Sequence, residues 1–170
     1  DIVIVGGTPA GITAAIAAAR EGRNCVILER TRHIGGLPVN GLGATDIGTR
    51  GATTGLFEQF VKLNKTYYID KYGKDSPQVR DCSDGYHFEP HVAGDTFALM
   101  LDAAGPGKIT VLTMRQFDSE PGNMVIENGR IVSIRILNRD TGAEEYYSGS
   151  VFLDATYEGD LGAAAGVPFE

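Results

Sequence analysis

The chain contains little of what several classes of protein depend on. It has two cysteines, three histidines and no tryptophan among its 170 residues. The two cysteines share neither a C-x-x-C nor a metal-ligand spacing, so they give no basis for a disulfide framework or a cysteine metal site. Cys25 lies inside an apolar segment and is expected to pack in the core.

Long apolar runs and an excess of basic residues are also missing. No run of about 18 apolar residues occurs, so no segment is predicted to span a bilayer. Acids outnumber bases by 22 to 15, for a formal net charge of −7, which argues against nucleic acid and anionic membranes as main partners. A phosphate-bearing cofactor stays compatible with this charge, because backbone N–H groups at a helix N-terminus can hold it. No signal for a compartment is recognisable, so localisation is left at the cytoplasmic default.

Glycine is the residue type in clear excess. The chain has 23 glycines, about 14% against a typical value of about 7%, without the repeat of collagen. They cluster at 6–11 and 30–51, which indicates backbone turns that serve a site. A loop as long as 30–51 is typical of functional or disordered segments.

The first 29 residues have the pattern of a β-α-β unit. DIVIV (1–5) and NCVILE (24–29) are apolar runs typical of strands buried in a parallel sheet. Between them, Pro9 suits the first position of a helix that is predicted to run to about Arg20. The unit has close to the expected length of about 30 residues.

The rest of the chain predicts further helices and an antiparallel meander. Helices are expected over about 52–63 and 94–103, with a polar, irregular stretch at 64–85. Strands are predicted near 108–114, 123–127, 130–138, 143–149 and 151–156. Asn128-Gly129 is a strong hairpin signal, and alternating apolar residues around it predict a half-exposed sheet.

The glycine-rich turn and the second strand together form a dinucleotide-binding fingerprint. Gly6 suits the tight turn, and Gly11 allows close contact between helix and strand. Thr8 occupies the position where a second glycine usually lets a pyrophosphate approach, and we expect Gly7 to relieve part of the crowding. Glu29 can accept both ribose hydroxyls and would repel a 2′-phosphate, so NAD or FAD is favoured over NADP.

The N-terminal unit, together with the HIGG, NGLGATD and DATYEGDL segments, resembles the FAD-dependent oxidoreductase family of the glutathione-reductase-type flavoprotein superfamily. The resemblance covers both ends of the chain and much of the middle. It implies an α/β, Rossmann-like FAD-binding domain with a central parallel sheet, a three-stranded antiparallel meander and a discontinuous substrate domain. It also implies an enzyme whose FAD accepts hydride or electrons from an unidentified small-molecule substrate.

The resemblance implies a cofactor site drawn from several separate segments. The glycine-rich turn would hold the pyrophosphate, the end of the second strand would border the adenosine ribose, and the glycine pair of HIGG would pass near the ribityl chain. The backbone after the strand near 114 would meet adenine, and a strand-end motif that usually reads Ala-Thr-Gly would complete the site. The predicted cofactor-binding residues are Gly6, Gly7, Thr8, Pro9, Ala10, Gly11, Glu29, Arg30, His33, Gly35, Gly36, Gln116, Ala155 and Thr156.

Two of these positions carry open alternatives. His33 is expected to make polar contact with the cofactor or solvent, and covalent attachment to the flavin ring is the alternative. Tyr157 replaces the glycine of the Ala-Thr-Gly motif, which leaves the local backbone path open.

No residue is assigned as the catalytic base. Asp46 is the one carboxylate of the glycine-rich loop beyond HIGG, but an aspartate in a loop more often caps a turn. The H-x-E-x-H pattern at 87–91 lacks a third ligand, and Pro90 is expected to spoil its helical presentation, so no metal site is predicted. Glu158 and Asp160 are expected to cap the last helix, with cofactor contact as the alternative.

We expect residues 1–170 to form the FAD-binding domain of a larger enzyme, as an N-terminal fragment without a substrate domain of ordinary size. Two alternatives stay open. One is a non-redox dinucleotide-binding protein of the same fold, a thiazole-synthase-like enzyme that holds an ADP adduct, for which Cys82 is the candidate reactive thiol. The other is a cofactor-free interaction module, against which the retained Gly6, Gly11 and Gly36 stand.

Overall fold

Strands and helices alternate at the start of the chain in the computed structural model, which describes residues 1–168. The strands are β1 (Ile2–Val5), β2 (Cys25–Leu28), β3 (Ile109–Leu112), β4 (Arg115–Gln116), β5 (Met124–Glu127), β6 (Arg130–Asn138), β7 (Glu144–Ser148) and β8 (Val151–Asp154). The α-helices are α1 (Pro9–Arg20), α2 (Gly55–Tyr72), α3 (Pro77–Asp81), α4 (Pro90–Ala104) and α5 (Asp160–Ala164).

The first sheet has the strand order β3-β2-β1-β8, and all of its neighbours are parallel. Ile4 of β1 pairs with Ile27 of β2 on one side and with Leu153 of β8 on the other. Ile4 and Ile27 are completely buried. A continuous β-branched run suits such strands because neither face meets water, which confirms the predicted parallel sheet.

Helix α1 has the bounds that the sequence predicts. Pro9 occupies its first turn, where the missing N–H needs no partner. Ile12 and Ile16, on one stripe of the helix, are completely buried.

Cys25, at the start of β2, is also buried as predicted, and burial raises the pKa of its thiol.

The second sheet is an antiparallel meander of β5, β6 and β7, extended by the two-residue β4, which also pairs with β6. Asn128 and Gly129 have φ of +51° and +75°, the left-handed values that the tight turn between β5 and β6 requires. Ile134 and Ile136 of β6 are completely buried in a cluster with Val5 of the parallel sheet. The three-stranded meander is therefore confirmed.

The described chain divides into two compact units. The first contains Asp1–Ile34 together with the chain from Leu101 onward, and the second is Gly35–Met100. The first unit holds both sheets, and the second holds α2 and α3. The assignment of residues 1–170 to one FAD-binding domain stays a prediction.

The second unit contains the largest error of the sequence predictions. The stretch 64–85 was expected to be irregular, but α2 continues to Tyr72 and α3 follows it. Asn64 is completely buried and accepts a hydrogen bond from Thr96 Oγ1 at 2.7 Å, so a polar residue faces the interior with a partner. Helix α4 begins at Pro90, so His87 and Glu89 lie ahead of the helix, and the expectation that the H-x-E-x-H pattern is not presented on a helix is confirmed.

None of the helices in the described part of the chain combines the length and the apolarity that a bilayer crossing needs.

Candidate functional site

The turn between β1 and α1 is packed too closely for any residue but glycine at two positions. Gly6 has a φ of +104°, and a Cβ on it would lie 2.5 Å from the carbonyl oxygen of Ala155. A Cβ on Gly11 would lie 2.1 Å from the carbonyl oxygen of Gly6. The turn is therefore closed against the end of β8 by contacts that a side chain would break.

Thr8 has a clear role at the position where the fingerprint usually has its second glycine. It is the N-cap of α1, with extended backbone dihedral angles. Its hydroxyl donates to the carbonyl oxygen of Ala155 at 2.7 Å and accepts the N–H of Gly11 at 3.4 Å. The side chain is buried in these contacts, so it ties the turn to β8.

The first turn of α1 presents backbone N–H groups without intrahelical acceptors. Pro9 has no N–H, and that of Gly11 is taken by Thr8. The N–H groups of Thr8 and Ala10 have no carbonyl partner inside the helix, because the first four positions never do. The first turn also carries no acidic residue. Together with the helix dipole, these groups favour an anion such as a phosphate.

The Glu29 carboxylate accepts hydrogen bonds from the glycine-rich turn at one oxygen and from Thr31 at the other. One carboxylate oxygen, Oε2, accepts the N–H of Gly7 at 2.8 Å. The other, Oε1, accepts the N–H of Thr31 at 2.7 Å and the Thr31 hydroxyl at 2.8 Å. Glu29 is 7% exposed. These bonds hold a negative charge beside the glycine-rich turn.

The segment after β3 runs alongside the end of β2. Met114 N–H donates to the carbonyl of Thr31 at 3.0 Å, and Arg115 N–H donates to that of Glu29 at 2.8 Å. Met114 has a φ of +58°, which turns the chain from the parallel sheet toward the meander. Gln116, predicted to meet adenine through its backbone, follows directly in β4, and its side chain donates to Asp118 at 2.5 Å.

A cavity of about 390 Å³ opens beside Arg30, and most of its residues were missed from the sequence. Its lining residues are Arg30, Phe117, Asp118, Ser119, Glu120 and Asp160. Burial and the nearby Asp154 raise the pKa of Asp160, against the opposing effect of Arg30. The cavity thus offers carboxylate acceptors and one aromatic ring. Phe117 and Asp118 follow Gln116 in the sequence, which is the signal that could have found them.

The turn after β8 is organised by Thr156 and Asp154. The Thr156 hydroxyl donates to Asp154 Oδ1 at 2.8 Å and accepts the N–H groups of Gly159 and Asp160 at 2.9 and 3.1 Å. Asp154 Oδ2 accepts the N–H of Gly162, in α5, at 2.9 Å. Asp160 lies in the first turn of α5, where a negative charge suits the helix dipole, as predicted. The hydrogen-bond acceptors at this helix start are supplied by Thr156 and Asp154.

The remaining predicted site residues are His33, Gly35 and Gly36. His33 is exposed, and its carbonyl accepts the Thr31 hydroxyl at 2.9 Å. Gly35 and Gly36 lie in the second unit with φ of +116° and +58°. A Cβ on Gly35 would lie 2.0 Å from Val39 Cγ2, so both local turn and packing require glycine there.

Two residues of the H-x-E-x-H pattern, Glu89 and His91, contact tyrosine hydroxyl groups. Glu89 accepts the hydroxyl of Tyr68, and His91 Nε2 lies 3.2 Å from the Tyr67 hydroxyl. Burial and the hydrogen bond to Glu89 raise the pKa of Tyr68. Within residues 1–168, no group of three His, Cys, Asp or Glu side chains is placed to hold a metal ion.

Cys82 was the candidate reactive thiol for an adduct-holding enzyme. It is 3% exposed, and its Sγ lies 3.2 Å from the carbonyl oxygen of Val79. The thiol is therefore packed inside the second unit.

A family model described as FAD dependent oxidoreductase matches residues 1–170. A search among curated proteins found no significant match. The family match therefore extends over the whole chain, including the glycine-rich turn, the meander and α5.

Solved structures share the fold at low sequence identity. The FAD complex of the glycerol-3-phosphate dehydrogenase from Bacillus halodurans has a TM-score of 0.64 and 11% identity, covering 97% of this chain and 36% of that one. The L-proline dehydrogenase from P. horikoshii has a TM-score of 0.60 and 16% identity, with coverages of 100% and 56%. THI4 of Thermovibrio ammonificans has a TM-score of 0.55 and 24% identity, with coverages of 99% and 63%.

These likenesses confirm the Rossmann-like α/β fold. The chain spans between 36% and 63% of the length of these three structures. The names of these proteins describe their own substrates, and the likeness itself concerns the fold.

Proposed function

Because the chain belongs to the FAD dependent oxidoreductase family, whose cofactor is FAD, we propose that residues 1–170 form the FAD-binding portion of a flavin-dependent oxidoreductase. We place it with the glutathione-reductase-type flavoproteins. The observation that carries the proposal is the glycine turn closed on Ala155, with Glu29 bonded to Gly7 at 2.8 Å. When bound, FAD would supply the redox chemistry by accepting hydride or electrons from a small molecule.

The glycine-rich turn would hold the pyrophosphate of FAD. The N–H groups of Thr8 and Ala10 are the available donors, since that of Gly7 is bonded to Glu29 and that of Gly11 to Thr8. The dipole of the 12-residue helix α1 adds partial positive charge at the same end. Gly6 and Pro9 would shape the turn, because the N–H of Gly6 donates to the carbonyl of Leu28 and Pro9 has no N–H.

Glu29 and Arg30 would border the adenosine. The Glu29 carboxylate would accept a ribose hydroxyl and repel the additional phosphate of an NADP-like ligand. The cavity beside Arg30 would take the adenine, because Asp118 and Asp160 offer acceptors to an amino group and Phe117 offers an apolar ring. Gln116 would contribute through its backbone.

Ala155 and Thr156 would act by shaping the site. Ala155 supports the glycine turn through its carbonyl, and Thr156 holds the turn that leads to Asp160. Gly35 and Gly36 would let the backbone pass near the ribityl chain and diphosphate. His33 would make polar contact with the cofactor or solvent, with FAD bound non-covalently. A small molecule would be the reducing substrate, and the net charge of −7 disfavours nucleic acid or an anionic membrane as partner.

Flavin binding by the purified chain tests the proposal. FAD is titrated with the chain, and binding is followed by the change in flavin fluorescence and absorbance. We expect Glu29→Gln to raise the dissociation constant about tenfold or more, because it removes a charged acceptor from the ribose. The matched control is Glu21→Gln, which changes an exposed glutamate at the other end of α1.

Two outcomes test FAD binding and its non-covalent nature separately. A wild-type chain that leaves the FAD signal unchanged, while its circular dichroism shows a folded protein, contradicts the proposed function. Flavin that stays with the protein after acid precipitation would contradict non-covalent binding and would point to attachment at a residue such as His33.

A further inference from the structure

Hydrogen bonds from the protein already fill most acceptor positions of the Glu29 carboxylate. This limits how many hydrogen bonds the carboxylate can accept from a ribose. A carboxylate has about four acceptor positions, two on each oxygen. Thr31 fills two positions on Oε1, through its N–H at 2.7 Å and its hydroxyl at 2.8 Å. Gly7 fills one position on Oε2. One position on Oε2 is left.

The Thr31 hydroxyl links this carboxylate to the following segment. Its oxygen lies 2.8 Å from Glu29 Oε1 and 2.9 Å from the carbonyl oxygen of His33. The hydroxyl has a single hydrogen, and the charged carboxylate oxygen, at the shorter distance, is the stronger of the two acceptors. The bonds from the Thr31 hydroxyl and N–H to Oε1 therefore fix where the Glu29 carboxylate points.

We infer that Thr31 is a positioning residue that holds Glu29 with one open acceptor, so that the site takes one of the two hydroxyls of an adenosine ribose. The inference rests on the proposed function, since it concerns the same nucleotide site. It differs from the expectation drawn from the sequence, in which Glu29 accepts both hydroxyls. The reason is a residue two positions further along the chain, which already occupies Oε1.

Ribose analogues separate one accepted hydroxyl from two. ADP, 2′-deoxy-ADP and 3′-deoxy-ADP are used as competitors against bound FAD on the full chain. With wild-type protein, we expect one deoxy analogue to bind about tenfold more weakly than ADP, the effect of losing a hydrogen bond to a charged group. The other analogue should bind within about twofold of ADP, because no hydrogen bond is lost.

Thr31 variants test whether this residue causes the asymmetry. Thr31→Val keeps the shape of the side chain and removes the hydroxyl donor, which frees a position on Oε1 for the second ribose hydroxyl. Both deoxy analogues should then bind more weakly than ADP. Thr31→Ser keeps the donor and should retain the wild-type pattern. A general loss of stability would weaken all three ligands together and would leave their ratios unchanged.

The possible results distinguish this inference from the proposed function. Equal weakening of both deoxy analogues in the wild type, or an unchanged asymmetry in Thr31→Val, overturns the inference while FAD binding stands. A wild-type chain that binds neither FAD nor ADP refutes the proposed function and the inference together.

Discussion

Glu145 is expected to make the stability of the meander depend on acid pH. Its carboxylate accepts hydrogen bonds from Arg115 Nε at 3.1 Å and Arg115 Nη2 at 3.0 Å. It also accepts the amide of Asn138 at 2.6 Å and the hydroxyl of Tyr147 at 2.5 Å. The Arg115 guanidinium is the largest of several causes that lower the pKa of Glu145 from its ordinary 4.5 to about 2. The perturbation is Glu145→Gln, which removes the charge and keeps the shape.

The magnitude follows from the pKa. At about 1.4 kcal/mol for each tenfold change in proton affinity, lowering the pKa from 4.5 to about 2 corresponds to roughly 3 kcal/mol. Arg115 and Glu145 are 21% and 25% exposed at their side chains, so solvent screening reduces this value. We expect the free energy of unfolding of Glu145→Gln to be about 1–2 kcal/mol lower than that of the wild type at neutral pH.

The sign of the pH dependence is set by a folded-state pKa below the unfolded one. The contribution of Glu145 is fully present above pH 4.5 and is lost as the pH falls toward about 2. Urea unfolding of both proteins, followed by circular dichroism at pH 7, 5 and 3, gives the difference at each pH. By pH 3 we expect more than roughly half of the difference to have disappeared.

Glu144→Gln is the matched control for this experiment. Glu144 is on the same strand and pairs with Arg135 at 2.7 Å, but its side chain is 53% exposed. Exposed pairs contribute about 0–1 kcal/mol, so Glu144→Gln should have a small effect. A Glu145→Gln difference that stays constant from pH 7 to pH 3, or one no larger than that of Glu144→Gln, would refute the reasoning.

Two further substitutions test the glycine-rich turn by thermal unfolding and FAD titration. Gly11→Ala places a Cβ 2.1 Å from the Gly6 carbonyl oxygen and should cost about 3 kcal/mol, a Tm loss of roughly 6–12 °C with impaired FAD binding. Gly48→Ala is its control, because a Cβ there meets nothing within 4 Å, and equal losses would contradict the packing argument. Thr8→Val removes the cap and the donor to Ala155 and should cost about 1–3 kcal/mol. Thr8→Ser keeps both bonds, so a Thr8→Ser protein as unstable as Thr8→Val would show that the hydroxyl is not the cause.

The strands of the parallel sheet could be predicted closely because their own residues determine them. Strands β1 and β2 are buried on both faces, and a continuous β-branched run has few other stable arrangements. Helix α1 was equally clear, since Pro9 and the glycine turn mark its start. The hairpin at Asn128-Gly129 needed only two residues that tolerate positive φ. In each case, the signal lies within the element itself.

The continuation of α2 beyond residue 63 could not be predicted in the same way. Asn64 and Tyr68 look like surface residues, but both are buried in the second unit. Their burial depends on partners far along the chain, since Thr96 donates to Asn64 and Tyr68 donates to Glu89. A polar side chain becomes a core residue only when such partners satisfy it, and local composition does not contain that information.

The candidate site likewise contains positions that local sequence predicts and contacts that it does not. The fingerprint predicted that Gly6 and Gly11 lie at the turn into α1 and Glu29 at the end of β2, and the structure has them there. Their contact with FAD stays a prediction. It could not show that Thr8 bonds Ala155, which lies 147 residues further on. It also could not show that Thr31 occupies part of the Glu29 carboxylate, because the count of donors depends on the side-chain positions.

The turn after β8 shows why a tyrosine is accepted where related motifs have glycine. Tyr157 stands where the Ala-Thr-Gly motif has its glycine, which left the backbone path open. In this chain the left-handed residue is Gly159, with a φ of +74°, two positions later. The Thr156 hydroxyl accepts the N–H groups of Gly159 and Asp160, so it stabilises the displaced turn. Tyr157 does not have a positive φ, so the left-handed position of this turn falls on Gly159 and not on the tyrosine.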